Sequence, residues 1–406
     1  MITKPYGFYA GGLSCGIKPS GSPDLAIVAS DRRCAVAGVF TRNRFPGAPV
    51  RVCKRHVRGG RAQAIVCNSG VSNVGTGERG IADAEAMCEA LAQRMNEHEA
   101  FAGASVSPRD VLPASTGIIG RPLPMDKITA GIATLAPTLA RGDQADAAAA
   151  RAILTTDHNP KTASRTVELS TGSATIGGIA KGAGMIAPNM ATMLAFLTTD
   201  ADVEPRTLRQ LLKTASARTF NRVSIDGDTS TSDMLLALAN GAAASAVGSE
   251  ADVTAFARAL DDLCRDLAEQ LVRDGEGVTK LMEVTIHGAA TVNDADRVGR
   301  AVVDSPLVKT ALHGGDPNWG RLVMAVGKSG AKMRPAALSI AIGDIRVLQA
   351  GEPTDLDDAA YAELESIMQR DRVAIAIDLG VGEMRATWIG CDLSREYITI
   401  NADYTT

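Results

Sequence analysis

The chain has 406 residues, 45% of them hydrophobic and 22% charged, with 40 Gly set against only 7 Phe, 5 Tyr and 2 Trp. So few aromatics offer no stacking platform for bases, and 42 basic against 46 acidic residues leave no basic footprint, which argues against nucleic acid as a partner. No apolar run reaches the roughly 18 residues of a membrane span, and the first residues lack the apolar stretch of a signal peptide, so a cytoplasmic protein without membrane contact is expected.

In chain order, residues 24–29, 34–40 and 62–67 read as strands, because they are short, rich in small and β-branched side chains, and bounded by Gly, Asp or Asn. Ile81, Ala84, Met87, Cys88, Leu91 and Met95 recur at helical spacing and predict an amphipathic helix over 80–98. Residues 193–199 read as a buried strand, and 205–219 and 250–273 as helices, the second with an apolar face running from Val253 to Leu271. Beyond Leu281, strands are expected at 281–288, 321–327, 338–348, 372–378, 384–389 and 396–400, with a helix near 357–369. This grouping predicts α+β layers more than an alternating parallel sheet. The Ala-rich stretch 145–152 and the small-residue stretch 241–249 read as surface connections, and neither marks a domain boundary. Seven cysteines, none in Cys-x-x-Cys spacing, read as small buried apolar residues in a reducing compartment, without disulfide or metal roles.

Two clusters carry candidate chemistry. Gly177 to Leu194 packs four glycines around Lys181 and then runs into Met190-Ala191-Thr192-Met193. A P-loop needs its lysine after the glycines and a hydroxyl next, and Lys181 satisfies neither requirement, so on spacing alone this is a glycine-rich turn entering a strand. The second cluster, Val223 to Asp233, fails as a calcium loop, because counting from Asp226 puts Thr231 where Gly is needed and Ala237 where Glu is needed. Asp226 and Asp228 leave two readings open, an aspartyl phosphotransferase and a polar turn satisfied by its own side chains. The five histidines form no His-x-x-x-His pair, and no Gly-x-Ser-x-Gly elbow exists, so a general base other than histidine is expected.

The run Lys181 to Leu194 closely resembles the ornithine acetyltransferase (glutamate N-acetyltransferase) family of self-processing enzymes. The likeness extends nearly end to end through Ser115-Thr116-Gly117, Thr155-Thr156-Asp157, Asp226 to Asp233, Asp274 to Lys280, His313 to Arg321 and Asn401 to Thr406. The resemblance implies an α+β fold, the αββα sandwich of the N-terminal-nucleophile type. It implies cleavage of the Ala191–Thr192 bond, giving an N-terminal chain 1–191 and a C-terminal chain 192–406. Thr192 would then be the nucleophile, and its freed α-amino group, with an ordinary pKa of about 7.7–8.0, would be the base. By the same matching, Thr116 and Gly117 stabilise the oxyanion, and Thr155, Lys181, Thr192, Glu276, Asn401 and Thr406 contact the amino-acid substrate. The implied reaction is a ping-pong transfer of acetyl from N2-acetylornithine to glutamate, with no cofactor or metal. Acetyl-CoA stays open as a co-substrate, and the implied assembly is a heterotetramer of two chains of each kind. Two departures stand out. Val71-Ser72 replaces the family's usual Asn-Ala, and His158 replaces a usual Thr. They leave room for a specialised acyl acceptor of the kind used by relatives in antibiotic pathways.

Overall fold

The computed structural model describes residues 1–101, 105–187 and 193–403. Its elements begin with Phe8–Leu13 (β1), Leu25–Phe40 (β2), Ala48–Val57 (α1), Arg61–Val71 (β3), Gly77–Asn96 (α2) and Val111–Ile118 (β4). Met125–Leu135 (α3), Asp143–Ala152 (α4), Lys161–Leu169 (β5), Gly172–Lys181 (β6), Leu194–Thr199 (β7), Pro205–Arg218 (α5), Met234–Ala239 (β8) and Glu250–Arg273 (α6) follow. The strands form one sheet in the order β4-β3-β2-β8-β7-β6-β5, with β1 paired to β2.

The layering is written in the side chains of β2. Alternate residues point to opposite faces of a strand. Ala26, Val28, Cys34 and Val36 all enter one core, which they share with Ile65, Leu112, Ile179, Phe196 and Leu236 from both ends of the sheet. On the opposite face, Leu25, Ile27 and Ala29 pack with α2 and α3, whereas Ala35, Ala37 and Val39 pack with α5 and α6. The strand therefore passes from one half of the sheet to the other, and the halves close on a shared core with a helical layer outside each. This is the αββα sandwich. Residues 24–29 and 34–40 are thus one strand and not two, because the polar Ser30 to Arg33 stretch is absorbed where the β2–β3 register shifts.

The helix α6 starts at a capping box, with the Ser249 hydroxyl accepting from Asp252 N–H and the Asp252 carboxylate accepting from Ser249 N–H. It buries Phe256, Leu260, Leu263, Leu267 and Leu271, each contributing about 1.5–3 kcal/mol of transfer free energy, so Leu263→Ala would cost roughly 2–5 kcal/mol. The stretch 145–152 is not a surface connection. It lies within α4, whose Ala149, Ala150 and Ala152 enter the shared core, with Ala148 and Ala152 close against Gly12 of β1.

A second body follows: Leu281–Ala289 (β9), Val292–Val303 (α7), Pro306–Gly314 (α8), Trp319–Lys328 (α9), Ser339–Ile342 (β10), Ile345–Gln349 (β11), Glu352–Pro353 (β12), Asp358–Met368 (α10), Arg372–Asp378 (β13), Met384–Cys391 (β14) and Arg395–Asp403 (α11). Its sheet order is β12-β11-β10-β13-β9-β14, over a core of its own. Two expected strands are helices here. Residues 321–327 lie in α9, since Leu322, Ala325 and Val326 are buried at spacings of three and one, and the Asn318 side chain caps Arg321 N–H. Residues 396–400 lie in α11, where Tyr-Ile-Thr-Ile mimics strand alternation but buries no residue. The expected strand 338–348 is a hairpin of β10 and β11 turning at Gly343, whose φ is 58°. All seven cysteines are free, and all but Cys15, which is half-buried, are in the interior. Among the described residues, no helix is long and apolar enough to cross a membrane.

Candidate active site

The two halves of the sheet part at one end, and a cavity of about 470 Å³ lies there. Antiparallel pairing sets Lys181 of β6 opposite Leu194 of β7, and parallel pairing sets Leu194 beside Met234 of β8. From the other half, β4 delivers Thr116 and Gly117 to the same place, paired with Ser69 and Gly70 of β3. The cavity gathers Thr116, Gly117, Thr155, Lys181, Glu276 and Asn401 along its lining, though they span most of the chain. Ala191, Thr192 and Thr406 lie outside the described residues, while Met193, next in the chain, lines the cavity.

Lys181 bridges the halves. Its ammonium donates to Thr155 Oγ1 at 2.8 Å and to Thr116 Oγ1 at 3.3 Å. Asp157 sits 4.0 Å away and accepts from Lys161 Nζ at 2.6 Å and from Gly182 N–H at 2.5 Å. Lys161 in turn reaches Asp274 at 2.5 Å. Burial opposes the Asp157 charge, but Lys181 and Lys161 prevail and hold its carboxyl well below the usual range. For Lys181, burial is the larger influence and lowers its pKa, with Asp157 opposing.

On the facing wall, Glu276 is 6% exposed and accepts from Asn401 Nδ2 at 2.9 Å. Two glycines allow close approach. A Cβ on Gly184 would lie 2.5 Å from the Glu276 carboxylate, and one on Gly117, at φ 121°, would lie 2.4 Å from the Gly70 carbonyl carbon.

The Asp226 reading resolves in favour of a loop clamp. Its carboxylate accepts main-chain N–H bonds from Met185 at 2.5 Å, Ile186 at 2.8 Å and Asp228 at 3.1 Å, which holds Met185 at a φ of 57° and leaves little lone-pair capacity for a phosphoryl nucleophile. Burial nevertheless raises its pKa. Tyr397 of α11 lines the same wall, and burial together with the charges of Asp226, Glu276 and Asp228 pushes its phenol up. No group of three His, Cys, Asp or Glu among the described residues could hold a metal ion.

Acyl transfer needs a water-restricted pocket, fixed donors for an oxyanion and charges for the substrate's ends, and this cavity assembles groups of each type. The ArgJ family matches residues 9–406. The chain belongs to that family. It is 44% identical to the arginine biosynthesis bifunctional protein ArgJ of Symbiobacterium thermophilum, over 100% of this chain and 98% of the relative. It is 46% identical to the protein of the same name from Deinococcus radiodurans, over the same shares. A solved ornithine acetyltransferase from Mycobacterium tuberculosis, complexed with ornithine, is 40% identical over 47% of this chain and 95% of its own, with a TM-score of 0.42.

Within this ArgJ-family enzyme, sequence reasoning passed over three residues of the site. Asp157 stood in a quoted motif without a role, Asp233 ended a cluster judged by its first members, and Tyr397 sat in a stretch taken for a strand. The departures from the family pattern separate. Ser72 reaches the cavity lining, whereas His158 is exposed and its main-chain N–H donates to Asp274 at 3.0 Å.

Proposed function

We propose that this ArgJ-family chain cuts itself at Ala191–Thr192 and then moves acetyl from N2-acetylornithine to glutamate through an acetyl-Thr192 intermediate. The observation that carries the reading is the convergence of Thr116, Gly117, Thr155, Lys181, Glu276 and Asn401 on one cavity lined by Met193. In this account the freed Thr192 amine takes the hydroxyl proton as Oγ attacks the acetyl carbonyl, and Thr116 and Gly117 stabilise the oxyanion. Lys181 faces a substrate carboxylate, and Glu276, steered by Asn401, faces an ammonium group. Thr155 orients Lys181, and Thr406 contributes from the chain terminus. Ornithine leaves with the proton held by the amine, glutamate enters, and its amino group collects the acetyl. The names of the relatives and of the ornithine-bound structure support the substrate class.

The reading needs no cofactor or metal, and it allows acetyl-CoA as an alternative donor. The two chains are expected to stay associated, since β6 and β7, on either side of the cut, are sheet neighbours, and to pair into a heterotetramer. In the test, Thr192→Ala abolishes both cleavage and acetyl exchange, a loss of at least about 10³-fold. A variant that retains either activity names a different nucleophile.

A further inference from the structure

A second cavity, about 420 Å³, lies beside the first, and Arg44, Phe45, Arg51, Gly75, Thr76 and Gly77 are among its lining residues. None of them has a part in the chemistry above. The two cavities adjoin along three segments of chain. Asn43 lines the first and Arg44 the second, and Ser72 lines the first and Gly75 the second. Ile119 also lines the first, and a Cβ on Gly75 would lie 3.8 Å from the Cα of the next residue, Gly120.

Arg44 and Arg51 are exposed, and neither guanidinium has an ion-pair or hydrogen-bond partner among the described residues. Arg55, further along α1, by contrast pairs with Glu85 at 2.6 Å. Phe45 presents its ring to the same cavity at 64% exposure. Two unpaired cations and a bare aromatic ring around one hollow suit an anion that carries a flat ring system.

The rest of the lining supplies main-chain donors. Strand β3, the turn Gly75-Thr76-Gly77-Glu78-Arg79-Gly80, helix α2 and strand β4, parallel to β3, form one β-α-β unit, the setting in which a Gly-x-Gly-x-x-Gly turn holds phosphate. Gly75 and Gly77 have φ of 75° and 60°, with Thr76 at −105° between them, an alternation of hand that turns successive N–H groups to one side. A Cβ on Gly77 would meet nothing, so its backbone is open, whereas one on Gly80 would run into the Thr76 and Asn73 side chains. Thr76, the α2 N-cap, does not cap its helix. Its hydroxyl donates instead to Asn73 Oδ1 at 2.7 Å, which leaves the first-turn N–H groups without a side-chain acceptor. Glu78 is the one acid in that turn, and it is exposed. At the first turn of α1, Ala48 N–H is taken by the Asn73 carbonyl at 3.1 Å and Pro49 has none, so α1 contributes its dipole and Arg51. No acid ends β4, where dinucleotide folds hold a ribose, so phosphate is what these residues grip.

We propose that this cavity binds a nucleoside phosphate. Arg44 and Arg51 take the phosphate oxygens, the Gly75 to Gly77 turn and the α2 N-terminus donate to them, and the base lies against Phe45. Two sources share this chemistry: a free nucleotide acting on the neighbouring site, and the nucleotide end of a coenzyme A thioester whose acyl end reaches that site. The binding site stands independently of the acetyl-transfer reading, and only the second source rests on it.

Isothermal titration of the purified full chain tests the proposal without turnover. ADP should bind, adenosine at the same concentration should not, and added salt should weaken the ADP complex. The double variant Arg44→Ala/Arg51→Ala should lose at least about tenfold in affinity, and Phe45→Ala about threefold. All three side chains are exposed, so the thermal midpoint of each variant should match wild type. Coenzyme A binding at least about tenfold more tightly than ADP, with a raised KM for acetyl-CoA in the double variant, identifies the thioester as the source. Equal binding of the two identifies a free nucleotide. A wild-type chain that binds neither ADP nor coenzyme A, or a double variant that binds them as wild type does, overturns the proposal. A chain that binds them through these arginines yet transfers no acetyl from any donor upholds the site and overturns the transfer reading.

Discussion

The two walls of the cavity hold opposite charges by different means. On one side Lys181 is locked at a strand end, tied to two threonine hydroxyls and backed by the buried chain Asp157–Lys161–Asp274. On the other, Glu276 sits in the turn after α6, its N–H donating to the Ala183 carbonyl and its carboxylate accepting, among the described residues, one side-chain bond from Asn401 of α11, with Gly184 packed against it. The first wall is part of the sheet, and the second is a turn and a terminal helix laid over it. Under the proposed reaction the difference would separate two tasks: oxyanion stabilisation needs donors fixed before reaction, whereas reading a flexible cationic side chain tolerates a more lightly tethered carboxylate.

The sharpest way to break this comparison is on the fixed wall. Thr116→Ala should lower the rate of acetyl exchange by about 10²–10³-fold with cleavage products still formed, as measured by steady-state kinetics. A change confined to KM would place Thr116 among the binding groups instead.

Next in size is Asp157→Asn, which leaves the Lys161 ammonium, 1% exposed, with Asp274 as its one remaining carboxylate. Urea unfolding at pH 7 should show a loss of about 3–5 kcal/mol. The pH dependence has a definite sign. The Asp157 pKa is lower folded than unfolded, so its stabilisation is fully present above the unfolded value near 3.9 and is lost as the pH falls through the folded value. The gap between wild type and Asp157→Asn should therefore narrow below about pH 4, and a gap constant down to pH 2 would show that Asp157 is not ionised in the fold.

On the lighter wall, Glu276→Gln should raise KM for acetylornithine about tenfold, equal to about 1.4 kcal/mol, with kcat changed only a few-fold. A kcat loss as large as that of Thr116→Ala would erase the distinction between the walls. The smallest effect belongs to His158→Thr, which restores the residue usual in the family. Because His158 is exposed and engages Asp274 through its main chain, acetylornithine KM should move by less than about twofold.

Much of this architecture is legible in the sequence wherever the apolar pattern is clear. The helix α6 declares itself by an apolar stripe, and β7 by the apolar run that ends at Leu197. The errors fall where pattern and context disagree. Arg321 to Gly327 reads as a strand because its apolar residues are crowded, yet an Asn318 cap and one buried face make it α9. The 145–152 stretch reads as a connection because alanine signals no face, yet its alanines are buried where α4 lies so close to Gly12 of β1 that a Cβ there would meet the Ala148 carbonyl. At the site, motif resemblance brought in residues that touch the cavity, while Asp157 matters through burial and the partners Lys161, Lys181 and Gly182, which local spacing does not encode. The glycine excess falls between these cases. Gly117 stands where no Cβ could fit against the Gly70 backbone, and a Cβ on Gly184 would push aside the Glu276 carboxylate, a group expected to meet substrate.

The proposed chemistry depends on the bond between Ala191 and Thr192. Intact-mass measurement of the purified wild-type protein should give two chains, 1–191 and 192–406, which sum to the 406-residue precursor plus one water. A single uncut species that transfers acetyl from acetylornithine to glutamate would contradict it.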